Sequence, residues 1–395
     1  MWYDQNELED YVVKHRRALH QIPELGYDLP ETTAYLRTEL DRLGIEYRLN
    51  KGDDGMICDI VGGKPGKTIA LRADMDGLPI LEDTGLPFAS KHEGCMHACG
   101  HDTHMAMLLG AAKILKEHQS ELKGTVRLLW QTAEEPSRGA EVTVANGGVD
   151  GVDAVFGTHI GTIFGKEIPA GTVLVPGGSF MASFDKFVVK VKGLGCHGST
   201  PEKGIDPVNA AAHIILALQA VNAREFNACD PVVLTVCSVH GGKAYNAIPD
   251  EVVLEGTFRA VCEDVRQKIG RRIQEISVAT AQVFGAEAQA EIIWGAPPVV
   301  NDDAMAALAA EAAKEVIGEA HVMTKLRAPN MGGEDFAFYL QKVPGAFMFL
   351  SSSNPEKGTT VAHHNPKFDV DEDVLWMGSA VFVAIVQKFL EIQEA

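Results

Sequence analysis

Thr68-Ile69-Ala70-Leu71-Arg72-Ala73-Asp74-Met75-Asp76 is the stretch whose reading decides the fold. Its apolar start reads as a short buried strand, and the chain leaves that strand through an arginine and two aspartates. The pattern recurs twice. Thr125-Val126-Arg127-Leu128-Leu129-Trp130 leads to Glu134-Glu135, and an apolar run over residues 152–156 leads to His159. Helical spacing fills the gaps: residues 7–19 are amphipathic, residues 32–43 repeat Leu36, Leu40 and Leu43 before Gly44, and residues 105–115 are rich in Ala and Leu. Strands alternating with helices predict an α/β domain built on a mostly parallel sheet covered on both faces. In open sheets of this kind the site lies beyond the carboxyl ends of the strands. Three separate segments aim their reactive side chains at that one edge.

The pattern then changes. Residues 184–191 alternate as a strand, 207–221 form a helix, 232–239 and 251–258 are strands, 265–284 a long amphipathic helix, and 286–294 a last strand. The order β-α-β-β-α-β is ferredoxin-like. From Asn301 the pattern reads α-β-α and rejoins the first domain. The expected organisation is a catalytic domain in two parts, 1–182 and 297–395, with a ferredoxin-like α+β domain inserted at 183–296. Gly177-Gly178 and Pro297-Pro298 are the expected hinges.

Composition bounds the function. At 395 residues the chain is long for one core. Its formal charge of −19 argues against a nucleic-acid partner, which demands a basic face, and disfavours anionic lipid. No apolar run approaches the ~18 residues of a membrane span. Seven scattered cysteines (58, 95, 99, 196, 229, 237 and 262) fit reduced thiols in the cytoplasm better than a disulfide framework.

The chemistry gathers in Met96-His97-Ala98-Cys99-Gly100-His101-Asp102-Thr103-His104. Thiolate, imidazole and carboxylate together suit borderline-soft divalent metals such as zinc. Cys99 and His101 are two positions apart, so on a regular helix they would diverge; a turn is required. Asp102 is then placed to cap a helix starting near Thr103, and the helix N-terminus would lower the thiol pKa. His97 and His104 read as supporting or surface residues. Adjacent glutamates at a strand end repel unless a cation lies nearby, and a glutamate beside a ligand glutamate can activate water. Taken alone, Glu134-Glu135 would read as a solvated loop pair. His197, in the Gly-rich turn Gly193-Leu194-Gly195-Cys196-His197-Gly198, reads equally as an oxyanion donor or a plain turn histidine. Gly332-Gly333-Glu334-Asp335-Phe336 reads as structural, and either His363 or His364 could complete a metal sphere. A redox role for Cys99, with Cys95 as resolving partner, stays open at this level.

These segments resemble a known family. His97-Ala98-Cys99-Gly100-His101-Asp102, Glu134-Glu135, the turn around His197, Asn246-Ala247-Ile248-Pro249-Asp250, Gly333-Glu334-Asp335-Phe336 and His364-Asn365-Pro366 occur in its order. With Leu71-Arg72-Ala73-Asp74-Met75-Asp76-Gly77-Leu78-Pro79, they resemble the amidohydrolase branch of the aminoacylase/carboxypeptidase metallopeptidases. That branch includes hippurate hydrolases, N-acyl-amino-acid amidohydrolases, auxin-conjugate hydrolases and N-acetyldiaminopimelate deacetylases.

The resemblance implies two divalent metal ions per subunit (manganese, zinc, nickel or cobalt), with Cys99 bridging and His101, Glu135, His159 and His364 as further ligands. Asp76 supports them from behind. It further implies Glu134 as general base, His197 as oxyanion donor, Asn246 and Arg259 facing an N-acyl amino acid substrate, and a homodimer or higher homo-oligomer through the inserted domain. Gly77 stands where many relatives have Ala, and Gly333 where many have Ser. A dipeptidase or carboxypeptidase using the same site, or a metal-free binding protein of this fold, are the alternatives.

Overall fold

The computed structural model describes residues 2–227 and 229–391, and the chain separates into two units. The first holds everything described up to Phe180, then Val300–Arg327, then everything described from Asp335 onward. The second holds Met181–Val299 and Ala328–Glu334. Residue 1 and residues 392–395, at the outer ends of the expected 1–182 and 297–395 segments, lie outside the described residues.

Local chemistry starts and stops the helices. In α1 (Gln5–Leu19) the Asp4 side chain accepts the Glu7 N–H, satisfying one of the orphan donors of a helix start. Helix α2 (Pro30–Leu43) opens on proline, whose missing N–H is no loss there, and ends on left-handed Gly44. Then come β1 (Tyr47–Leu49), β2 (Met56–Val61), β3 (Lys64–Asp74), α3 (His101–Glu117), β4 (Lys123–Gln131), α4 (Gly139–Ala145), β5 (Ala154–Gly161), β6 (Val173–Leu174) and β7 (Gly178–Met181). The second unit contributes β8 (Asp185–Lys192), β9 (Cys196–His197), α5 (Pro207–Arg224), β10 (Val232–Gly241), β11 (Ala247–Ile248), β12 (Glu251–Ala260), α6 (Glu263–Val283) and β13 (Glu287–Ile293). After β14 (Val299–Asn301), the first unit finishes with α7 (Asp303–Ile317), β15 (Val322–Met323), α8 (Ala337–Leu340), β16 (Gly345–Ser351) and α9 (Leu375–Glu391).

The first unit is organised by an eight-stranded sheet in the order β1-β2-β4-β3-β5-β16-β6-β15. Its centre, β4-β3-β5-β16, is parallel, as the alternation of helices and strands predicts. The antiparallel edge pair β1-β2 was not anticipated. Strand β5 is buried along its whole length, and so is β16. The helical run Glu372–Glu391, which contains α9, is long and apolar enough to cross a membrane by length and composition, yet it packs as a core helix, 67% buried over its apolar window. It packs against α3 at two close approaches. A Cβ at Gly110 would lie 2.4 Å from Ser379 Oγ, and one at Gly378 would lie 2.1 Å from Met107 Sδ.

The second unit is ferredoxin-like. Its sheet runs β10-β12-β8-β13, with every neighbouring pair antiparallel. Strand β8 alternates buried and outward residues, and Phe187, Val189 and Val191 pack with Ile214 and Leu218 of α5 and Ile269 and Ile273 of α6. Residues 328–334 also join this unit, a return that the sequence pattern did not reveal. The Ala182 N–H donates to the carbonyls of Asn330 (2.9 Å) and Gly332 (3.1 Å), so backbone pairing rather than side-chain pattern holds that segment.

Candidate metal centre

The parallel strands deliver their C-terminal ends to one edge of the first unit. Asp74 and Asp76 follow β3, Glu134 and Glu135 follow β4, and His159 lies on β5. Cys99 precedes Gly100, which takes φ 90° as the N-cap of α3, and His101 is the first residue of that helix. This is the turn that the two-position spacing requires. The left-handed residue turns the chain sharply between the thiol and the imidazole.

Among the described residues five sets of potential ligand atoms result, and three of them are Cys99 with His159 and His363, Cys99 with Glu135 and His364, and His101 with Glu134 and Glu135. Cys99 Sγ is 3.5 Å from His159 Nε2. Glu135 lies 3.6 Å from His364 Nε2 and 4.0 Å from His101 Nε2. His364 has φ 60°, and its N–H donates to Ala98 O at 2.9 Å. Ala133, immediately before the glutamates, has φ 52°. Left-handed conformations of non-glycine residues cost ~1 kcal/mol or more and persist only where surrounding bonds enforce them. Here they aim the ligand-bearing segments.

Two histidines have their tautomer fixed by backbone carbonyls. His101 Nδ1 donates to Asp76 O and His159 Nδ1 donates to Ile160 O, both at 2.8 Å. Each therefore turns a bare Nε2 lone pair into the site. His101 Nε2 and Glu135 Oε1 are buried and have no hydrogen-bond partner among the described residues. Unpaired buried polar atoms are costly, and a cation is what this donor set lacks. Asp76 organises the glutamates: its two oxygens accept the N–H groups of Glu134 (2.9 Å) and Glu135 (3.1 Å).

The electrostatics agree. Burial lowers the His101 pKa, but Asp74, Asp76 and Glu135 outweigh it and raise it to about 10, so without a cation the ring holds a second proton on Nε2, and a bound metal would displace it to free the lone pair. Burial pushes the Cys99 thiol well above its usual range, and Glu135, Glu134 and Asp74 add to the effect. This corrects the expectation of a thiol acidified by a helix N-terminus, because desolvation and nearby carboxylates outweigh half a dipole charge. With so many carboxylates nearby, Cys99 needs a bound cation to exist as thiolate.

Asp102 caps nothing. It is buried and accepts from Arg16 Nε at 3.0 Å and His20 Nδ1 at 2.8 Å. His97 and His104 are both buried rather than at the surface. His104 bridges Asp74 Oδ1 (2.5 Å) and the Ile160 N–H (3.1 Å), which ties β3 to β5. Behind the site, Arg72 donates to Asp74, Gln131 and Asp335 at 2.7–2.9 Å. That network escaped the sequence reading, although an arginine inside a buried strand signals that carboxylates must surround it.

On the second unit, β9 pairs with β11 so that His197 faces Ala247, next to Asn246. The Gly198 N–H donates to Asn246 O at 2.8 Å. Arg259, on β12, lies 5.4 Å over the Phe184 ring.

Residues 70–388 match the family described as Peptidase family M20/M25/M40. The chain is 41% identical to the N-acetyl-L-cysteine deacetylase of Bacillus subtilis, over 98% of this chain and 90% of that protein. It is 38% identical to an IAA-amino acid hydrolase of Arabidopsis thaliana, over 96% of this chain and 87% of the relative. The crystal structure of Bacillus subtilis YxeP protein, described as a dinuclear metal binding peptidase of the M20 family, superposes with a TM-score of 0.85 at 36% identity, covering 98% and 99% of the two chains. The fold and the donor set together define a metal-dependent hydrolase acting on linear amides. The chain belongs to the M20/M25/M40 peptidase family, and its donor set is that of a site for two divalent metals.

Proposed function

We propose that the enzyme hydrolyses N-acyl amino acids to a carboxylic acid and a free amino acid. The observation that carries this reading is the meeting of Cys99, His101, Glu135, His159 and His364 in overlapping triads, with Glu134 beside them. Both the deacetylase and the IAA-amino acid hydrolase relatives are named for acylated amino acids. Two divalent ions (manganese, zinc, nickel or cobalt) would be held by Cys99, His101, Glu135, His159 and His364. When bound they supply Lewis acidity, polarising the amide carbonyl and acidifying water.

The chain's own residues do the rest. Glu134 accepts the proton of the attacking water at its carboxylate and returns it to the departing nitrogen, so the amine leaves neutral. His197 supplies the hydrogen bond to the oxyanion. Its Nδ1 accepts the Ser199 N–H at 3.1 Å, which leaves the hydrogen on Nε2, the tautomer such a donor needs; one good donor contributes roughly 3 kcal/mol. Asn246 faces the substrate beside His197, and Arg259 binds the substrate carboxylate. Seven unpaired cysteines support a reducing cytoplasm, and the second unit is the surface through which a homodimer or larger homo-oligomer would form.

A carboxypeptidase reading also has support, because the chain is 36% identical to thermostable carboxypeptidase 1 of Saccharolobus solfataricus over 98% of its length. Release of free amine from N-acetyl and N-benzoyl amino acids, assayed beside dipeptides with each of the four metals, separates the two. Cleavage of dipeptides alone would overturn the acyl-amino-acid reading.

A further inference from the structure

His363 and His364 are adjacent, and both turn a ring nitrogen toward a potential metal ligand. Their hydrogen-bond partners separate them. His363 Nε2 receives the Thr162 backbone N–H at 3.1 Å. An amide N–H can only donate, so Nε2 must offer a lone pair and cannot carry a hydrogen. The imidazolium form is excluded on the same ground, because it would set two N–H groups against each other. The hydrogen of the neutral ring is therefore on Nδ1, which lies 3.6 Å from Cys99 Sγ. His101 and His159 show the opposite arrangement: their Nδ1 hydrogens are spent on carbonyls, and their lone pairs face inward.

The seat of His363 is built for this orientation. The ring lies 4.5 Å, centroid to centroid, from Phe368. Gly161 has φ 119°, and a Cβ there would come within 2.1 Å of His363 Nε2. Only glycine at this position leaves room for the ring to reach the Thr162 amide.

We propose that His363 is a positioning residue rather than a metal ligand: its Nδ1–H donates a hydrogen bond to the Cys99 sulfur and orients that thiolate between the two metals. This rests on the assignment of Cys99 as a metal thiolate made above. An N–H donor lowers the energy of the sulfur lone pairs, whereas a ligand would occupy a coordination position. The two roles therefore leave different marks on a bound metal.

The test loads wild type, His363→Leu and His363→Asn with cobalt(II), then measures cobalt per chain and the thiolate-to-cobalt charge-transfer band. His363→Leu removes the donor while keeping an apolar filling; His363→Asn can restore an N–H near the Nδ1 position. In the Leu variant saturating cobalt should still give the wild-type ratio, with affinity weakened about 10–100-fold and the band moved to longer wavelength. The Asn variant should move it back. Loss of cobalt from His363→Leu at saturation would make His363 a ligand and overturn the proposal, as would a band that does not move. If wild type shows no thiolate band, the Cys99 assignment itself fails, which distinguishes the two failures.

A second measurement needs no deletion variant. In zinc-loaded wild type labelled with nitrogen-15 histidine, the His363 ring must show a protonated Nδ1 and a bare Nε2. It is assigned by its absence from whichever His363 variant folds. The reverse pattern overturns the proposal.

Discussion

Asp76→Asn is the sharpest test of how the site is held together. The carboxylate of Asp76 is 1% exposed and receives two consecutive N–H groups, those of Glu134 at 2.9 Å and Glu135 at 3.1 Å. A carboxamide keeps the shape but offers one oxygen only; its NH₂ must face the second N–H, donor against donor. One charge-assisted hydrogen bond is lost, worth about 1.5–3 kcal/mol. If the loss is felt as misplacement of Glu135, metal affinity should fall about 10–100-fold, the range for outer partners of ligands. The assay is competition for zinc against a chelating indicator, with circular dichroism to confirm the fold. An affinity within about threefold of wild type in folded protein would refute the claim that Asp76 aims the glutamates.

Other outcomes follow from the same geometry. Glu134→Gln should keep its metals while turnover drops about 10²–10⁴-fold, checked by metal analysis beside steady-state rates. His197→Ala should keep metals and fold yet lose most turnover. If His197 serves a neighbouring subunit, mixing His197→Ala with Glu134→Gln should recover activity, and verified mixed dimers without recovery would place it in its own subunit. For pH, burial lowers the His20 pKa, but Asp102 and Glu82 more than offset this and raise it to about 8. Its contribution to stability is thus complete below the unfolded value of ~6.5 and is lost as pH rises through about 8. Urea unfolding of metal-free protein should lose about 2 kcal/mol across that window, and His20→Gln should flatten the slope.

The sheet centre and the gathering of most candidate site residues were legible because each rests on a local signal. An apolar strand that ends in Glu134-Glu135 or His159 announces both the strand and what it delivers. The edge strands were not, because β1 is only three residues long and β2 draws its stability from pairing with β4 rather than from its own pattern. Asp102 looked like a cap because its true partners, Arg16 and His20, are 86 and 82 positions away. The same limit applies to His363 and His364, whose proposed roles rest on different partners. Nothing within that segment distinguishes them, since the deciding Thr162 amide is 201 positions distant. What folding adds is the identity of the partner, and the partner sets the tautomer, the protonation state and hence the role.

Chain order also separates two tasks. Cys99, His101, Glu135, His159 and His364 all belong to the first unit, whereas His197, Asn246 and Arg259 belong to the second. The candidate ligands are held by bonds internal to their own unit: His101 to Asp76, His159 to Ile160, and the His364 amide to Ala98. None of these bonds draws on residues 181–299. Metal loading should therefore depend on residues such as Asp76 and His363, and substrate handling on the second unit. A substitution in the β9–β11 turn that altered metal affinity would mean that this separation, and with it the assignment of His197 to the substrate rather than the metal, is wrong.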